Sequence, residues 1–131
     1  MFNFIIQLTS NKYSIDFNNI LISKLNPDTK RVWRPNCCTN NAICSTEFIV
    51  LESKNNFEKD FLYAIVDSKA FNDWMCSIAT GSTNSRQRAK PQKALEFEFL
   101  CPPDKFAQKF AQIVTPLYDL IEINILERSV V

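Results

Sequence analysis

From Asp104 onward the chain has the pattern of a helix with a narrow apolar stripe. Phe106, Phe110, Ile113, Leu117 and Leu120 follow one another at spacings of 4, 3, 4 and 3. That alternation is a heptad seam, the mark of a helix that packs along another helix. Two heptads are too short to hold a coiled coil alone. The helix must therefore find a partner, or fold back on its own domain as an ordinary amphipathic terminal helix. Pro116 falls inside the stripe and predicts a kink or restart, because proline removes an amide donor. The seam breaks off at Asn124.

At 131 residues the chain is the size of one domain. With 46% apolar and 22% charged residues it can bury a core and is too apolar for disorder. The net charge is +1, so any anion-binding surface must be local. No run reaches the length of a membrane span. "MFNFIIQLTS" lacks a cationic n-region and is too short in its apolar run for a signal peptide, so a cytoplasmic chain is expected. The five cysteines include no C-x-x-C, which argues for reduced thiols and against a disulfide framework. The chain has no histidine, so the commonest general base and the commonest zinc ligand are missing. No metal site is expected.

The local patterns predict an α+β fold: a small mixed or antiparallel sheet, a helical pair and a C-terminal helix. "FNFIIQLT" is a possible opening strand. "NILISKL" predicts a strand ended by a turn with Pro27 and Asp28 in turn positions. "RVW" returns as the second strand of a hairpin. "AICSTEFIVLES" is rich in β-branched and aromatic residues and predicts one buried strand. The period then changes. Phe57, Phe61, Leu62, Ile65 and Val66 share one helical face, and a second helix over residues 68–78 has Ser68 as N-cap, with Phe71, Trp74, Met75 and Ile78 on one face. In "ALEFEFLCPP", Leu95, Phe97 and Phe99 alternate strictly, which predicts a strand ended by Pro102 and Pro103.

Between the second helix and that strand lies "ATGSTNSRQRAKP". It holds the chain's only glycine, Gly81, and cations without a single acid. Ser82, Thr83, Asn84, Ser85, Arg86, Gln87 and Arg88 offer hydroxyl, amide and guanidinium donors, the groups that hold phosphates and touch base edges. Arginine can bind guanine O6 and N7 together, and glutamine adenine N6 and N7. Lys90 and Lys93 suit phosphates as point charges. Lys24, Lys30, Arg31 and Arg34 form a second basic cluster around the hairpin, with a weaker claim to the same surface. The plain alternative is a solvated loop whose charges bind nothing.

Four stretches in order carry a family resemblance: "NILISKLNPDTKRVW", "STEFIVLES", "ATGSTNSRQRAKP" and "PPDKFAQKFAQIVTPLYDLIEIN", with "FLYAIVDSKAFNDWM" between the second and third. Over residues 18–124 the chain resembles the DNA-sequence specificity (S) subunit of type I restriction–modification enzymes. The resemblance implies a partial DNA target-recognition domain at 1–103 and the start of a conserved spacer helix at 104–131. The family has more recognition domain before this strand and a longer helix after it, so a truncated half-subunit is expected. In place of the family's Gly-Asp before the strand stand Asn18 and Asn19. The implied function is sequence-specific recognition of double-stranded DNA without catalysis and without a cofactor of its own. Implied partners are methyltransferase (M) subunits that use S-adenosylmethionine and ATP-driven translocase/nuclease (R) subunits. The seam would pair with a second half-subunit, or with a second copy in a homodimer. The alternative within this reading is a remnant that associates only through its helix.

Two motifs mimic catalysis. "CPPD" has the two prolines of an amino-methyltransferase motif but lacks the polar acceptor before them and the aromatic ring after them. Pro27-Asp28 with Glu52-Ser53-Lys54 fits a loose Mg²⁺-dependent nuclease pattern, in which two carboxylates hold the metal and the lysine positions water. No catalytic residue is expected, and the nuclease is the third reading.

Overall fold

A computed structural model describes residues 12–35, 41–53 and 58–129. The possible opening strand "FNFIIQLT" and Phe57 of the first helical face lie outside the described residues. The elements in chain order are β1 (Lys12–Ser14), β2 (Asn19–Ser23), β3 (Val32–Trp33), β4 (Ile43–Ser45), β5 (Phe48–Glu52), α1 (Lys59–Val66), α2 (Lys69–Ile78), α3 (Pro91–Ala94) and α4 (Asp104–Ser129). The class is α+β, as expected.

β2 is the centre of an antiparallel sheet ordered β3-β2-β5. Its register with β5 sets Ile20 opposite Leu51, Leu21 opposite Val50 and Ile22 opposite Ile49. Alternate side chains leave opposite faces of the sheet. Ile20, Ile22, Ile49 and Leu51 pack on Leu62, Val66, Phe71 and Met75 of α1 and α2. Leu21 and Val50 pack the other way, on Tyr13 and Ile15. Both faces of β2 are therefore covered, which is why "NILIS" is a continuous apolar run with no polar alternation.

The β2–β3 hairpin forms as expected. Its turn closes through the Thr29 amide donating to the Asn26 carbonyl at 3.0 Å, with Pro27 and Asp28 between them. In α2 the Ser68 hydroxyl caps the helix by accepting from the Phe71 amide at 3.2 Å. Phe71 and Met75 are buried.

Two expected strands are corrected. The stretch 42–53 is two strands, not one. A turn at Thr46 and Glu47 breaks it, β4 pairs with β1, and β5 pairs with β2. The alternating Leu95, Phe97 and Phe99 form no strand. Pro91 starts the short helix α3, and residues 97–103 are irregular. Phe97 lies edge-on to Phe71, with ring centroids 5.2 Å apart, and stacks beside Phe99 at 6.3 Å. The alternation records Phe97 lying on α2 with Phe99 beside it, and among the described residues no strand runs alongside to complete a ladder.

α4 is continuous through Pro116, so the expected restart does not occur. At 1.5 Å per residue its 26 residues are about 39 Å long. It packs on α1 mainly through a stripe outside the seam, with Phe110 of the seam lying edge-on to Phe61 at 5.6 Å. Ala107 and Ala111 are buried there. Tyr118 lies edge-on to Tyr63 at 4.8 Å, and the Thr115 hydroxyl donates to Asp60. At 3.6 residues per turn, the Ala107–Ala111–Thr115–Tyr118–Glu122 stripe and the heptad seam point about 140° apart. The helix therefore folds onto its own domain and still leaves most of the seam outward: Ile113 is 69% exposed and Leu117 54%.

Candidate nucleic-acid interface

The loop after α2 is closed at its base. Thr80 and Arg88 exchange both backbone hydrogen bonds, at 3.0 and 2.9 Å. At its tip the Arg86 amide donates to the Thr83 carbonyl at 3.1 Å. The loop is so tight that a Cβ on Gly81 would stand 2.3 Å from the Arg86 carbonyl oxygen. Glycine is required here for close approach, not for a left-handed backbone.

Several side chains offered by the sequence as contacts are used inside the loop. The Gln87 amide donates to the carbonyls of Thr83, at 2.8 Å, and Gly81, at 3.2 Å. The hydroxyls of Thr83 and Ser85 meet at 3.3 Å. Arg88 grips Glu47 with two bonds, Nε at 3.1 Å and Nη2 at 3.2 Å. Those bonds hold the Glu47 carboxyl below its usual range, with the charges of Arg88 and Lys24 adding. Such an exposed pair is weak, so a phosphate can compete for Arg88. Among the described residues, the side chains of Ser82, Asn84 and Arg86 meet no partner.

The loop docks against the β2–β3 turn, which the sequence offered only as punctuation. The Asn26 amide donates to the Gln87 carbonyl at 2.7 Å. Its side-chain Nδ2 donates to the Ser85 carbonyl at 3.0 Å, and its Oδ1 accepts from the Gln87 amide at 3.0 Å. Asn26 is held at φ 47. A left-handed backbone costs an L-residue roughly 1–2 kcal/mol, least for asparagine, and these three bonds offset it. The Ala89 amide donates to the Lys24 carbonyl at 2.9 Å, so Lys24 joins the loop's edge.

The remaining basic candidates go elsewhere. Lys30 reaches the carboxylate and carbonyl of Asp67, at 2.8 and 2.9 Å, and so closes the C-terminal end of α1. Lys93 pairs with Glu96 at 3.1 Å. Arg31 is exposed beside Lys30 and Lys90 is exposed at the N-terminal end of α3.

Arg34 is corrected outright. Only 10% of its side chain is exposed, and it serves the helix, not a basic surface. It binds Asp60 with two bonds and reaches Asp119 at 3.0 Å and Glu122 at 3.2 Å on α4. Its guanidinium also lies over the Tyr118 ring at 5.6 Å.

The nuclease pattern does not assemble. Glu52 lies opposite Asn19 at one end of the β2–β5 ladder, and Asp28 lies beyond Ser23 at the other. Four strand steps of about 3.3 Å separate those ends, at least about 13 Å, too far for two carboxylates to share one metal. Lys54 lies outside the described residues. Pro102 and Pro103 lead directly into α4, as expected of a break.

The sheet, helical pair, docked loop and long terminal helix packed on α1 make up an α+β domain. The chain belongs to the family described as the type I restriction modification DNA specificity domain, which it matches over residues 4–129. It is similar to the type I restriction enzyme HindI specificity subunit of Haemophilus influenzae, at 26% identity over 114 residues. That match covers 86% of this chain and 25% of the relative, so the chain spans about a quarter of the relative's length. No solved structure matches the chain. Among the described residues no helix is long and apolar enough to cross a membrane.

Proposed function

We propose that this chain recognises double-stranded DNA by sequence for a type I restriction–modification system and performs no chemistry itself. The observation that carries this reading is the docked loop, which turns Ser82, Asn84 and Arg86 outward without partners and keeps Arg88 and Lys24 at its edge. Arg86 is the base-reading candidate, and Ser82 and Asn84 flank it. Lys24, Arg88 and Lys90 serve phosphates. Thr83, Ser85 and Gln87 shape the loop, Lys30 and Lys93 are paired with acids, and Arg31 lies on the β2–β3 hairpin. Methylation and cleavage fall to separate M and R subunits in the cytoplasm. Residues 1–103 act as the recognition part and 104–131 as a docking helix.

The exposed seam supports association with a second copy, a separate half-subunit or an M subunit. A chain that associates by this helix without binding DNA is the second reading. Fluorescence anisotropy with a random duplex pool separates the two. The first requires binding, with Arg88→Ala weakening it and lowering the slope of log affinity against log salt by about 0.9 for each phosphate the arginine had neutralised. No binding at low salt leaves only the helix.

A further inference from the structure

We infer that Asn26 is a positioning residue for DNA reading: it aims Arg86 without touching DNA. This rests on the recognition role of the loop proposed above. The three hydrogen bonds from Asn26 end on Ser85 and Gln87, the two residues that flank Arg86. The Arg86 amide is held in turn by the Thr83 carbonyl. The backbone on both sides of Arg86 is thereby fixed, and its side chain is left free among the described residues. Asparagine is suited to the task on three counts. Its amide donates and accepts at once, its length spans the gap between turn and loop, and it tolerates the left-handed backbone found at φ 47.

Positioning of this kind acts on selectivity. A phosphate contact tolerates a loosely placed cation, whereas a bidentate bond to a base edge requires the guanidinium at one place and angle. A loop ordered before binding also loses less entropy when DNA arrives. Asn26 carries no charge, so it contributes nothing to counterion release.

The test selects a duplex from a random pool with the wild-type chain, then measures affinity for it and for a scrambled duplex of equal composition. Asn26→Ala and Asn26→Gly are the variants; the glycine keeps the left-handed backbone if the alanine does not fold. We expect the ratio of the two affinities to fall roughly tenfold, within the range of one bidentate base contact. The salt slope and the thermal midpoint of Asn26→Gly should stay near the wild-type values, whereas Arg86→Ala should lower the ratio and Arg88→Ala the slope. If the folded variants discriminate as well as wild type, the inference is overturned. A salt slope that falls with Asn26→Gly also overturns it, because Asn26 would then act through charge contacts. A wild-type chain that binds no duplex overturns the recognition reading itself, and the inference with it.

Discussion

Arg34 and Asp60 hold one another through two parallel hydrogen bonds, Nε to Oδ1 at 2.6 Å and Nη2 to Oδ2 at 3.0 Å, across 26 residues of sequence. Their side chains are only 10% and 7% exposed. The same guanidinium reaches Asp119 and Glu122 on α4. A single side chain thus ties the end of the hairpin, the helix α1 and the terminal helix together. Removing one partner of a buried pair strands the other charge.

Arg34→Met should therefore destabilise the chain by about 3–5 kcal/mol. Denaturant unfolding measures it. Asp119→Asn, on the exposed side of the same network, should cost well under half as much. Equal effects would mean that burial does not set the strength of these bonds.

Acid should act through Asp60. Burial alone would raise its pKa, but hydrogen bonds from Arg34 and Thr115 and the charges of Arg34 and Lys59 outweigh burial and lower it. A carboxyl with a depressed folded pKa contributes its stability in full above its unfolded value, about 3.9, and loses it as pH falls through the folded value. The melting temperature should fall as pH drops below about 4. Asp60→Asn should lower the midpoint at neutral pH and flatten the acid limb, followed by circular dichroism. An acid limb as steep as wild type would place the titrating group elsewhere.

The seam should control association and leave folding alone. Ile113→Asp and Leu117→Asp alter exposed positions, where substitutions usually stay within about 0.5 kcal/mol. Sedimentation at tens of micromolar should show the wild type associated and the double variant monomeric at an unchanged thermal midpoint. Ala111→Leu on the inward stripe should do the reverse, costing about 1–3 kcal/mol by overpacking α1. A wild type that stays monomeric would rule out pairing between copies.

Gly81→Ala should open the loop after α2. The added Cβ would collide with the Arg86 carbonyl, so the tip must move. Amides of Thr80 and Arg88 should then exchange faster with solvent, while those of β2 keep their protection. Unchanged exchange at both would mean the loop relaxes without opening.

The sequence by itself determined the elements whose signals are local. "NILISKL" and the Asn-Pro-Asp turn mark β2 and its hairpin, Ser68 marks the start of α2, and the heptad spacing marks α4 and its apolar seam. Tertiary structure decided everything that needed a partner. Leu95, Phe97 and Phe99 have a strand's alternation, but a strand requires a neighbour, and here Phe97 met α2. Arg34 looked like its basic neighbours in the hairpin, because a sequence does not say that Asp60 and Asp119 will surround it. Asn26 read as a turn residue, and its hold on Gln87 spans 61 positions. Ala107 and Ala111 are too small to register as a stripe, yet small size lets two helices approach and decides which face of α4 turns inward. Periodicity records which residues share a face. Only the packed chain shows what that face, or a charge upon it, is set against.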